Sequence, residues 1–183
     1  MKKCLFYLCF ALVQTQVFAQ LYVNKSDATV IQFFSKTPME DISASNKNAT
    51  SVFDAKTDSI VVKVPMNKFI FPNGLMQEHY NENYLETEKY PYAYLKGKFT
   101  TPIPFTTPGT YTSSITGNFT CHNVTQPRTF PCTVVVDAAG VVTVTGKFDV
   151  KLADHKIDIP TIVTKKIAEV IQVDVKASYV KKQ

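Results

Sequence analysis

From Val142 to Leu152 every even position is apolar or small (Val142, Val144, Gly146, Phe148, Val150, Leu152) and every odd one is polar (Thr143, Thr145, Lys147, Asp149, Lys151). A period of two over eleven residues suits a strand with one buried face and suits no helix, whose apolar stripe returns every 3.6 residues. The alternation recurs in Ile171, Val173, Val175, Ala177 and Tyr179, in Ala93, Leu95, Gly97 and Phe99, and in Ile60, Val62, Val64 and Met66. Weaker versions run from Thr29 to Lys36, with Ile31 and Phe33 inward, and from Ile42 to Asp54, with Phe53 inward. Turn signals at Thr57-Asp58, Thr107-Pro108-Gly109 and Ala138-Ala139-Gly140 separate these runs. The chain thus reads as all-β, with about eight strands of roughly ten residues, longer than the usual five or six. Long one-sided strands favour an eight-stranded antiparallel up-and-down barrel, whose interior is either packed with side chains or holds one small ligand. Small residues at inward positions (Gly97, Gly117, Gly146, Ala177) beside large ones such as Phe99, Phe119 and Phe148 fit a cavity and fit tapered packing equally.

Lys2 and Lys3 precede an apolar run from Cys4 to Val13, and Val17-Phe18-Ala19 carries small residues where a signal peptidase reads. Residues 1–19 are therefore expected to be a cleaved signal peptide that sends one domain, residues 20–183, to the periplasm or the exterior. Cys9 lies too early, and lacks the preceding small residues, for an acylated lipoprotein cysteine. No later run approaches the roughly 20 apolar residues of a membrane helix, so no integral membrane segment is expected. Cleavage removes two lysines and no acid, lowering the charge from +5 to +3. The remaining lysines are scattered and form no stripe, which argues against nucleic acid as a partner.

Cleavage also leaves two cysteines, Cys121 and Cys132, which in an oxidising compartment read first as a disulfide. Ile115, Gly117, Phe119 and Cys121 alternate on odd positions, and Phe130, Cys132, Val134 and Val136 on even ones. Antiparallel pairing about a turn near Gln126-Pro127 places Cys121 opposite Cys132 on the inward face.

One segment departs from period two. Asn73 is a fair N-cap, and Met76, Tyr80 and Tyr84 recur at four-residue spacing, so a short helix over about 73–86 is expected, with Gln77, Glu78, Asn81 and Glu82 toward solvent. Lying between strands, it is a connection across a barrel end; its aromatic stripe serves as a plug, as a ligand contact, or as both. A second helical turn is expected near 160–166.

These features resemble the YceI-like family of secreted, lipocalin-like barrels that bind lipids or polyisoprenoids. The resemblance rests on Ser35-Lys36-Thr37-Pro38-Met39-Glu40-Asp41-Ile42, Met76-Gln77-Glu78-His79-Tyr80-Asn81-Glu82-Asn83-Tyr84, Lys89-Tyr90-Pro91, Gly117-Asn118-Phe119-Thr120 leading into Val124-Thr125-Gln126-Pro127, and Lys151-Leu152-Ala153-Asp154-His155 to Ile159-Pro160. It spans essentially the whole of residues 20–183. One departure is Asn123, where the family commonly places glycine before Val-Thr; asparagine tolerates left-handed geometry better than most residues.

The resemblance implies a binding protein that holds a long apolar ligand, a polyisoprenoid, isoprenoid quinone or other lipid, with no cofactor. Ile31, Phe33, Val62, Val64, Ile115, Phe119, Phe148, Val150, Val173 and Val175 are the expected lining, with Met76, Tyr80 and Tyr84 closing one end. No catalytic residue and no metal ligand is assigned, because His79, His122 and His155 show no metal-ligand spacing and no nucleophile motif is present. The competing expectation is a filled, structural or stress-related barrel acting through a protein surface. The outward aromatics Phe34, Tyr92 and Tyr94 would then form an interface, including one between two copies of the chain.

Overall fold

A computed structural model describes residues 20–159 and 167–182. Nine strands follow one another: β1 (Leu21–Lys36), β2 (Asp41–Asn46), β3 (Thr50–Asp54), β4 (Ser59–Pro65), β5 (Tyr92–Phe99), β6 (Gly109–Cys121), β7 (Val124–Val136), β8 (Val142–Lys151) and β9 (Val170–Lys181). From β3 to β9 each pairs antiparallel with the next. β1 closes the ring, pairing β9 along one edge and, along the other, β3 through Leu21–Val23 and β2 through Ile31–Lys36. β2 and β3 thus share one barrel position, so nine segments make the eight-stranded closed barrel that the alternation implies.

The break between β2 and β3 falls inside the stretch expected to be one strand, Ile42 to Asp54. Two asparagines supply the backbone partners lost there. Asn46, fully buried, donates from Nδ2 to the Pro65 carbonyl (2.7 Å) and accepts from the Asn48 N–H (2.8 Å). Asn24 donates to the Ala49 carbonyl (2.9 Å) and accepts from the Ser51 N–H (2.7 Å). Buried peptide groups deprived of a ladder need such replacements. β1 starts earlier than its apolar pattern suggests because its pairing with β9 shifts register between Asn24 and Thr29, and a bulge cancels alternation.

The barrel's two ends differ. At the lower end the interior is solid. Tyr22 and Phe53 stack at 4.7 Å, Phe105 from the 100–108 loop packs 4.6 Å from Phe53, and Tyr179 donates to Ser51 (2.9 Å). At the upper end β4 stops at Pro65, and the far edge of β2 keeps only the bridge between Ser45 and Ile70. The lid crosses this end. It comprises a 3-10 turn (Met66–Lys68), helix α1 (Gly74–His79), and a π-helical turn (Tyr80–Tyr84). Asn73 caps α1 as expected, its Oδ1 accepting from the Leu75 N–H at 2.9 Å. The helix expected over 73–86 is regular only to His79, and the π turn, closed by Leu85 N–H to Tyr80 O (2.9 Å), completes it.

The expected disulfide is absent. β6 and β7 meet in a two-residue hairpin at His122-Asn123, with φ +49° and +58°, which sets Cys121 opposite Val124 and Cys132 opposite Ser113. Eight residues of strand, about 26 Å, lie between the cysteine positions, far beyond the roughly 7 Å that a disulfide spans between Cα atoms. Both thiols are free and buried. Pro127 misleads as a turn signal because it sits within β7 at Val124–Pro131, where β8, which pairs only with Cys132–Val136, forms no ladder; proline is tolerated at such an edge. The expected signal peptide and the turn near 160–166 lie outside the described residues.

Two of the four small inward residues do not make room. Gly97 and Gly117 face each other across β5 and β6, where a Cβ on Gly117 would stand 2.2 Å from the Lys96 carbonyl oxygen. They let two backbones approach closely in a tightly coiled sheet. Gly146 and Ala177, by contrast, line the cavity, though a Cβ on Gly146 would stand 3.1 Å from the Pro131 carbonyl oxygen.

Candidate functional site

The upper half of the barrel encloses a cavity of about 500 Å³, inside the roughly 300–1,000 Å³ range of small-molecule sites. Period two fixes which side chains reach it. Ile31 and Phe33 come from β1, Val62 and Val64 from β4, Ile115 and Phe119 from β6, Phe148 and Val150 from β8, and Val173 and Val175 from β9. The lid adds Met76, Tyr80 and Tyr84, so all thirteen residues singled out in the sequence stand on one wall. Ile60, Val144 and Tyr179 form part of the floor, above the solid lower core. Phe69, Phe71, Leu85 and Ile157 also line the cavity but lie in irregular segments, where no periodicity marks which residues turn inward. Cys121 and Cys132 belong to the wall as well, as separate thiols.

The lid is seated by aromatic contacts. Phe33, Phe69 and Phe71 surround Tyr80 at ring-centroid distances of 5.8, 5.9 and 4.9 Å. The Tyr80 hydroxyl is inaccessible and has no hydrogen-bond partner. Burial pushes its pKa well above the usual phenol value, so it is a neutral donor. Leaving such a group unpaired costs about 1–3 kcal/mol, an expense that phenylalanine would avoid.

The electrostatics are those of an apolar container. Among the described residues no lysine or arginine lines the cavity, and the ionisable groups toward its rim are the half-buried Glu40 and the exposed His79. Burial lifts the Cys121 thiol to about 12 and the Cys132 thiol to about 11, which keeps both protonated.

The other two histidines serve the frame. His155 is completely buried, with Nδ1 donating to the Val124 carbonyl (3.1 Å), and burial lowers its pKa, favouring the neutral ring. His122 lies with Nε2 2.9 Å from Glu86 and Nδ1 3.1 Å from the His155 carbonyl. Arg128 pairs with Asp154 and holds that carboxyl below its usual range. The three histidines do not converge, and among the described residues no group of three metal-ligating side chains occurs. Outside the wall, Tyr92 is partly exposed and Lys63 lies over its ring, 3.8 Å from the centroid. Phe34 is half-buried there, whereas Tyr94, expected to face outward, is half-buried and belongs to the cavity lining.

A family model described as the YceI-like domain matches residues 22–179, nearly the whole barrel. The chain belongs to the YceI-like family. Solved structures share this YceI-like fold at low identity. A polyisoprenoid binding domain from Saccharophagus degradans implicated in plant cell wall breakdown aligns with a TM-score of 0.76 and 14% identity over 88% of this chain and 98% of its own. Burkholderia cenocepacia BcnA aligns with a TM-score of 0.69 and 16% identity over 82% and 95%. The Campylobacter jejuni YCEI protein aligns at 0.59 and 15% identity over 75% and 83%. At these identities the likeness carries the fold. No curated protein matches the sequence. Among the described residues no helix is long and apolar enough to cross a membrane.

Proposed function

We propose that this protein is a secreted binding protein that holds the chain of a polyisoprenoid or another long-chain lipid inside its barrel, for transport or storage. The observation that carries the reading is the cavity of about 500 Å³, walled almost entirely by apolar side chains in a barrel of the YceI-like family. The Saccharophagus degradans neighbour, named for polyisoprenoid binding, supports the same ligand class. Secretion rests on the pattern of residues 1–19 alone. At roughly 30 Å³ per water-sized unit the cavity takes on the order of fifteen to twenty non-hydrogen atoms, or about three to four isoprene units, and the remainder of a longer chain leaves through the mouth. Each buried methylene contributes about 0.8 kcal/mol, or roughly fourfold in affinity. Binding therefore depends on chain length and needs no charged contact and no catalytic group.

The test is native mass spectrometry of protein purified from its own host, followed by organic extraction and titration with isoprenoids of increasing length. A lipid-sized adduct is expected, with affinity that climbs with length and levels off near fifteen to twenty carbons. A clean apo mass together with no uptake of any of these chains would sink the reading.

A further inference from the structure

The barrel wall parts on one side. β8 pairs with β9 along Val142–Lys151 but with β7 only through residues 132–136, so residues 124–131 of β7 have no ladder partner on their β8 side among the described residues. The sequence enforces this. In a two-residue hairpin the closing pair, here Cys121 and Val124, is hydrogen-bonded and the pairs alternate from it, so residues 125, 127, 129 and 131 turn their backbone nitrogens toward β8. Two of those four are Pro127 and Pro131, which have no N–H to give. The same prolines deny the edge to a foreign strand. Side chains span the parting instead. Near its base the rings of Phe130 and Phe148 meet at 4.2 Å. Toward the lid, the 3-10 turn Leu152–His155 is tied to β7 by Gln126 donating to the Asp154 carbonyl (3.1 Å), by the Arg128–Asp154 pair, and by His155 donating to the Val124 carbonyl (3.1 Å).

This seam borders the cavity. Phe130, Pro131, Gly146 and Phe148 all belong to the lining. Among the described residues four members of the lining are exposed: Asn73, Leu75 and His79 at the lid, and Pro131. Cavity wall and outer surface therefore meet at two places, which differ in what must move to let a ligand pass. The lid segment buries Met66, Phe69, Phe71, Tyr80 and Leu85, and lifting it would return them to water. Swinging Phe148, only half-buried, away from Phe130 breaks no ladder hydrogen bond. We propose that the seam between β7 and β8 is a lateral portal: an apolar chain too long for the barrel passes between Phe130 and Phe148, and its outer part lies across Pro131 on the barrel's side instead of crossing the lid. The inference rests on the carrier reading above and places the mouth of that site.

The experiment binds photoreactive isoprenoids to wild-type protein, irradiates them, and maps the crosslinks by mass spectrometry of the digest. Two hexaprenyl (C30) chains carry a diazirine, one at either end, and a farnesyl (C15) chain carries the same group. The cavity holds about three to four isoprene units, so one end of the C30 chain must emerge. The probe labelled at that end should place most of its crosslinks on the outer residues beside the seam, Thr129, Pro131, Lys147 and Asp149, which the C15 chain should leave unlabelled. Crosslinks of the emergent end gathered on the lid would overturn the portal and leave the carrier reading in place. Crosslinks of both C30 ends confined to the inner wall would overturn it as well. Failure of every chain to bind overturns the carrier reading, and the portal with it.

Discussion

Nε2 of His122 lies 2.9 Å from Oε2 of Glu86, joining the β6–β7 hairpin to the end of the lid. The other ring nitrogen faces the His155 carbonyl at 3.1 Å, so the imidazole bridges the Glu86 carboxylate and the backbone of the turn that follows β8. The hydrogen bond from His122 holds the Glu86 pKa below its ordinary value.

A depressed carboxyl pKa contributes stability above the unfolded-state value and loses it as pH falls through the lower folded value. The lid is therefore expected to loosen on acidification below the ordinary glutamate range, about pH 4.3, and not at neutrality. Hydrogen exchange of amides in residues 74–90 should accelerate, after correction for intrinsic rates, between about pH 6 and about pH 3 in wild-type protein. Glu86→Gln should be faster already at the upper pH and should show a smaller further change. Equal acid dependence in the two proteins would remove Glu86 from the account.

The two thiols are expected to behave as core side chains. Burial lifts them to about 12 and about 11, and the thiolate is the reactive species. Native protein prepared without residues 1–19, which carry Cys4 and Cys9, should resist iodoacetamide and take up two labels on denaturation, with no mass change and no loss of stability on adding reductant. Mass spectrometry of labelled protein decides it. A two-dalton mass increase on reduction would require a strand register other than the one described.

Period two made the barrel legible because every regular strand has one face buried, and it made the strand-borne wall legible for the same reason. Residues such as Val62, Phe148 and Val175 reach the cavity because parity sets their direction. Where the backbone departs from parity the pattern is silent. The β2–β3 break is recognisable only once Asn24 and Asn46 are seen to replace ladder bonds. Phe69, Phe71 and Ile157 lie in segments without a repeat, and the hairpin at His122-Asn123 lacks the glycine that usually announces such a turn. Tyr80 was legible as a lid residue through its spacing from Met76 and Tyr84. That its hydroxyl lacks a partner is a three-dimensional fact, set by which aromatic rings enclose it.

Gly117 is expected to tolerate no side chain. Its Cβ would stand 2.2 Å from the Lys96 carbonyl oxygen and 2.4 Å from the Gly97 Cα, both backbone atoms that cannot move aside without breaking the β5–β6 ladder. Gly117→Ala should cost about 1–3 kcal/mol or more. Gly74→Ala is the comparison, because nothing lies within 4 Å of its added Cβ and it occupies the first turn of α1. Alanine's helix propensity should make that change neutral or stabilising by up to about 1 kcal/mol. Urea denaturation of both variants measures the difference. A Gly117→Ala protein as stable as wild type would contradict the close approach of β5 and β6.

Phe119 offers a reporter for the cavity because the chain contains no tryptophan. Its ring lines the wall 5.8 Å from Phe130 and 5.1 Å from the imidazole of His155. Phe119→Trp places a single indole where an apolar chain would displace any solvent within reach. Overpacking at a partly buried wall should keep the destabilisation to about 1–3 kcal/mol. On addition of a C15 to C20 isoprenoid, lengths set by the cavity estimate of roughly fifteen to twenty atoms, emission should move to shorter wavelength and saturate at one ligand per protein. Emission that already matches a fully apolar site, and that does not change with any chain length, would mean that the side chains close the space without a ligand.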